Sequence, residues 1–160
     1  MDYREDLEIA ESKKNENKQF FKELKRLPEK KLDAQFHTFH DKVFEEIDCL
    51  SCANCCKTTS PIFRDVDINR LSKKLKMKSS DFVSQYLHLD SDGDYVLNVA
   101  PCPFLSEDNT CSVYENRPLA CREYPHTNRK KMHQILPLTL RNTLVCPAVS
   151  RMVEGMKKTM

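Results

Sequence analysis

Cys49, Cys52, Cys55 and Cys56 form the run C-x2-C-x2-C-C, and few other features restrict a fold so tightly. Two-residue spacers let successive sulfurs converge on one ion or cluster within a tight loop. Four further cysteines follow at wider spacing: Cys102 in PCPFL, Cys111 after the polar turn EDNT, Cys121 in RPLACREYP and Cys146 before Pro147. The eight divide into two groups of four, the stoichiometry of two tetrathiolate sites or of one site with additional redox or metal-binding thiols. Neighbouring side chains in an extended loop point to opposite sides, so the Cys55–Cys56 pair is expected to serve two nearby centres.

The rest of the composition gives those cysteines a reason to bind metal. A chain of 160 residues with 39% hydrophobic residues, 31% charged residues and no Trp can build one domain with a modest core, and burial alone leaves such a fold marginal. Residues 1–17 are charged and lack the apolar stretch of a signal peptide, and no later stretch approaches the roughly 20 apolar residues of a membrane span. The expected compartment is the reducing cytoplasm, where clustered cysteines point to metal or redox chemistry rather than disulfides. The formal charge of +2 is too balanced to imply a nucleic-acid or membrane partner. Eight thiolates and two dipositive centres would take it to −2.

Phe20, Phe21, Leu24 and Leu27 are spaced for one helical face and predict a helix over 5–27. Pro28 ends it and opens a second helix carrying Leu32, Phe36, Phe39, Val43, Phe44 and Ile47. Residues 49–61 have neither helical nor strand period and read as a loop. Asp65 or Asp67 can cap a short helix with Ile68, Leu71, Leu75 and Met77 inward, and Ser79 or Ser80 another with Phe82, Val83, Tyr86 and Leu87. After the Asp90–Asp94 turn, Tyr95–Val99 is the strand candidate. Residues 101–125 are irregular with one helical turn near 117–122, residues 135–144 suit helix or extended chain, and a last helix follows Pro147. The expected class is mainly α with irregular metal-binding loops, a small α+β arrangement being the variant, divided into a helical N-terminal extension, 1–45, and a cysteine-cluster domain, 46–160.

Both metals have support. The C-x2-C-x2-C run and the Cys-Pro steps at 102/103 and 146/147 suit an iron–sulfur cluster, although the fourth position of a ferredoxin run holds Thr59. Tetracysteine zinc sites equally serve domains with thin cores. Arg117 and Arg122 flank Cys121 and can offset thiolate charge. Tyr114, Tyr124 and Phe104 can shield a centre or simply pack. His37 and His40 form H-x2-H, a spacing that binds metal but also occurs on solvated faces, and His126 follows Cys121 closely enough to substitute for a ligand. With only Gly93 and Gly155, a phosphate loop or dinucleotide fingerprint is excluded.

C-x2-C-x2-CC followed by PCPFL, Cys111, VYENRPLACREYP and Cys146 resembles the YkgJ-like CxxCxxCC cysteine-cluster family over about residues 46–149. The resemblance implies a small module chelating zinc or iron, in some members labelled an iron–sulfur oxidoreductase, and a similar cluster accompanies flagellin lysine methylases. All eight cysteines are taken as ligands of an iron–sulfur cluster or zinc. The expected function is an accessory or redox module, with two alternatives: an iron–sulfur oxidoreductase, or a structural zinc protein meeting a protein partner through residues 1–45. A methyltransferase lacks room for a cofactor-binding fold.

Overall fold

The computed structural model describes residues 3–160, apart from the side chain of Leu50. In chain order the helices are α1 (Arg4–Ser12), α2 (Lys14–Leu24), α3 (Glu29–Phe44), α4 (Cys49–Cys52), α5 (Asn54–Thr58), α6 (Asp65–Lys74) and α7 (Ser79–Tyr86). A hairpin of β1 (Leu87–Leu89) and β2 (Tyr95–Leu97) comes next, followed by α8 (Leu119–Glu123), α9 (Leu136–Asn142) and α10 (Pro147–Thr159). The class is mainly α with a small two-stranded sheet, as the periodicities predict.

The chain forms two compact units, one from residues 1–49 and 125–160, the other from residues 50–124. Residues 125–160, grouped above with the cysteine segment, thus pack with the N-terminal helices. In that unit α10 packs on α3 and α1, and α9 on α2. Leu24, Leu32, Phe36, Met132, Met152 and Val153 are fully covered there. Asp6 on α1 accepts from Arg151 Nε on α10 at 2.9 Å. The single helix expected over 5–27 is broken at Lys13. Ser12 Oγ there donates back to the Ile9 carbonyl at 2.8 Å, a local bond that competes with the helical ladder.

In the 50–124 unit Phe63, Ile68, Leu71, Phe82, Leu87, Leu97, Phe104 and Val113 form one buried cluster. The rings of Phe82 and Phe104 lie nearly parallel with centroids 6.1 Å apart. Leu87, assigned to a helix above, instead opens β1 and pairs with Leu97, because the antiparallel register carries both side chains into the same core. Phe63 bridges Tyr95 on the other side of β2.

The cysteine-rich stretch 49–61, expected as a loop, contains two short helices separated by Ala53 in the left-handed region at φ 50°. A two-residue spacer is close to one helical turn, so C-x2-C suits a helix as well as a loop. On α5 the adjacent Cys55 and Cys56 diverge by about 100° rather than pointing to opposite sides.

Candidate metal centre

Three local structures carry cysteines toward one place in the 50–124 unit. The first is a tight hairpin. Ser106 N–H donates to the Thr110 carbonyl and Ser112 N–H to the Phe104 carbonyl, each at 2.8 Å, and Leu105 bridges Cys111. Asn109 makes the turn at φ 67°, a conformation Asn tolerates. Cys102 and Cys111 stand on its two arms, both packed against the apolar cluster. The second structure is α5 with Cys56, whose carbonyl accepts from the amide of Cys102 at 2.7 Å. The third is α8 with Cys121, whose amide closes onto the Pro118 carbonyl at 3.0 Å.

The four thiols feel one another. A hydrogen bond from the Cys55 thiol brings the pKa of Cys56 down to about 7, against the upward push of burial and with help from the Arg117 cation. Burial pushes Cys102 up, the charges of Cys56 and Cys111 add to it, and the backbone amides of Phe104 and Leu105 oppose it. Burial likewise raises Cys111, opposed by the Val113 amide and by Arg117, with Cys56 adding to the rise. Cys121 is pushed up to about 12 by burial and then by the charges of Cys56, Cys102 and Cys111, with Arg117 pulling the other way.

Amides aimed at sulfur and a cation beside three of the four thiols are the surroundings that thiolate-bound centres use to hold negative charge. A dipositive centre deprotonates coordinating thiols outright, against the burial and, after it, the neighbouring thiolate charge that favour the protonated form of Cys102, Cys111 and Cys121. The donor set therefore fits zinc or an iron–sulfur cluster. Among the described residues no three Cys, His, Asp or Glu side chains are closed into a single-ion cage.

Arg117 donates Nε–H to the Tyr114 carbonyl at 2.9 Å, and its guanidinium lies 3.8 Å over the Tyr114 ring. Of the two arginines flanking Cys121, Arg117 acts on the thiols; Arg122 donates to the Glu115 carbonyl at 3.4 Å. Phe104 packs with Phe82 and Tyr86 in the core.

The two compact units divide the eight cysteines differently from their order along the chain. Cys56 stands with Cys102, Cys111 and Cys121, whereas Cys146 is buried at the start of α10 in the other unit. Cys49 is exposed and belongs to that unit as well, and Cys52 and Cys55 are partly buried in the 50–124 unit. The H-x2-H pair is engaged in packing: His37 Nε2 lies 2.7 Å from the Arg129 carbonyl and His40 Nδ1 2.7 Å from Thr127 Oγ1. Burial lowers the His40 pKa, with Asp41 opposing and His37 adding. His126 occupies a left-handed position at φ 65°.

Asp67 and Arg70 had no functional role in the sequence reading. Asp67 is fully buried at the third position of α6, where its carboxylate accepts the Arg64 backbone amide at 2.9 Å. The capping-box geometry of R-x2-D was the available signal.

The family model CxxCxxCC, described as "Putative zinc- or iron-chelating domain", matches residues 48–139. That is more than half of the chain, which therefore belongs to the CxxCxxCC family. This membership supports metal binding and leaves the choice of metal open. No curated protein and no solved structure matches the chain. No described helix is long and apolar enough to cross a membrane.

Proposed function

We propose that this chain is a metal-binding module in which Cys56, Cys102, Cys111 and Cys121 ligate an iron–sulfur cluster that serves an accessory or redox task. The backbone bond from the Cys102 amide to the Cys56 carbonyl at 2.7 Å and the packing of Cys102 and Cys111 against one core carry the reading, and the charges that Cys56, Cys102 and Cys111 exert on Cys121 agree with it. The three-cysteine C-x2-C-x2-C run and the Cys-Pro steps at 102/103 and 146/147 favour a cluster over a lone zinc ion. Work in a reducing compartment such as the cytoplasm is part of this reading, because clustered cysteines are kept from oxidising to disulfides there.

The test is a set of single Cys→Ser substitutions at all eight positions, read by bound iron, zinc and sulfide per chain. Substitution at 56, 102, 111 or 121 is expected to abolish or strongly reduce loading of this centre. Full loading in any two of those four variants overturns the ligand set, and stoichiometric zinc without sulfide overturns the cluster.

A further inference from the structure

Asp67 is fully buried and its two carboxylate oxygens accept from three directions. Arg64 donates through its amide, Nε and one terminal nitrogen at 2.9–3.0 Å, Arg70 through a terminal nitrogen at 3.0 Å, and the Leu119 amide at 3.3 Å. The same Arg70 nitrogen continues to the carbonyls of Asn116 and Arg117, at 3.4 and 2.7 Å. A buried carboxylate is costly unless its partners are fixed in place, and here one of them, the Leu119 amide, belongs to the segment that delivers Cys121 and Arg117, while a second, Arg70, is bonded to two carbonyls of that segment. That segment consists of a 3-10 turn over Tyr114–Asn116, Arg117, Pro118 and the five-residue α8. It has little regular hydrogen bonding of its own, so the Asp67–Arg70 pair satisfies backbone groups that no helix or strand satisfies.

We propose that Asp67, acting through Arg70, is a positioning residue for the metal centre: it holds the 116–119 backbone against α6, so that Cys121 and Arg117 are presented to Cys56, Cys102 and Cys111. This rests on the ligand set proposed above. Arg64 provides an internal contrast. It binds the same carboxylate but lies at the start of α6, does not contact the 116–119 segment through any of these bonds, and its side chain is half exposed. The pair thus separates two roles of one carboxylate, capping α6 and placing the ligand loop.

The experiment compares wild type, Asp67→Asn, Arg70→Met and Arg64→Gln, each loaded with its metal. It reads the rate of extraction by excess chelator, the visible spectrum of the loaded protein and, separately, the melting temperature. Arg70→Met also removes the buried Arg70 Nε, which has no hydrogen-bond partner, so it leaves no new unpaired donor. Asp67→Asn and Arg70→Met are expected to lose metal about tenfold faster or more and to shift the spectrum, with Arg64→Gln within about twofold of wild type, the range by which groups supporting ligands act. Equal acceleration in Arg64→Gln and Arg70→Met, or none in Arg70→Met, overturns the positioning role while leaving the ligand set intact. If Asp67→Asn does not fold, the two arginine variants decide. A wild-type chain that retains no metal overturns the ligand set itself and the positioning role with it.

Discussion

The amide of Cys102 donates to the carbonyl oxygen of Cys56 at 2.7 Å, tying the C-x2-C-x2-CC run to the hairpin that carries the next two thiols. The bond is made by backbone, so it sets the separation of α5 and the hairpin independently of any ligand. Two of the three segments that carry the proposed ligands are thereby seated side by side before metal arrives, leaving only α8 with Cys121 to be placed by other contacts.

Cys56 differs from its three neighbours in a way that alkylation can read. Its pKa is lowered to about 7, whereas burial raises Cys102 and Cys111 and pushes Cys121 up to about 12. The thiolate is the reactive form. In metal-free protein near pH 7, iodoacetamide is expected to label Cys56 well ahead of Cys121, as seen by peptide mass spectrometry. Arg117→Ala should slow labelling of Cys56 by removing a cation that favours its thiolate. Labelling of Cys121 as fast as Cys56 would contradict the arrangement.

Acid should reveal Asp67. Burial alone would raise its carboxyl pKa, but the bonds from Arg64, Arg70 and the amides of Arg64 and Leu119 outweigh it and hold the group well below the usual carboxylate range. A lowered folded-state pKa contributes stability that is present above the unfolded value of 3.8 and lost as pH falls below it. Asp67→Asn should therefore reduce stability near neutral pH and flatten the acid limb of a denaturation series. An acid limb unchanged by the substitution would show that the carboxylate is not ionised in the fold.

Gly155 is where α10 meets α3. A Cβ there would stand 2.7 Å from Cε1 of the Phe39 ring, which is itself buried. Gly→Ala in a helix otherwise gains up to about 1 kcal/mol, and overpacking costs about 1–3 kcal/mol. Gly155→Ala is expected to lower the melting temperature, and Phe39→Leu in the same chain to restore part of the loss. A melting temperature raised by Gly155→Ala alone would refute the close approach.

Much of the helical framework was legible because its apolar residues recur at helical spacing: Leu32, Phe36, Phe39 and Val43 are all buried along α3. The breaks were less visible. Lys13 interrupts a continuous pattern through a side-chain bond at Ser12, and β1 was hidden because Leu87 continues the α7 pattern by one more residue. The surroundings of the cysteines were legible only in part. The adjacency of Cys55 and Cys56 suggested that the run reaches toward two centres, but that Cys56 lies beside the hairpin depends on the Cys102–Cys56 backbone bond, which joins positions remote in sequence. Asp67 and Arg70 were hidden for a related reason: their partners Asn116, Arg117 and Leu119 are remote in sequence, and a lone acidic residue in the first turn of a helix reads as a cap.

The most direct test is the content of iron, zinc and acid-labile sulfide per chain, with a visible spectrum, on untagged protein purified without oxygen. Iron with equimolar sulfide and a broad visible absorption, both lost in Cys121→Ser, is the predicted result. A colourless chain with stoichiometric zinc and no sulfide, or one with no metal at all, would contradict it.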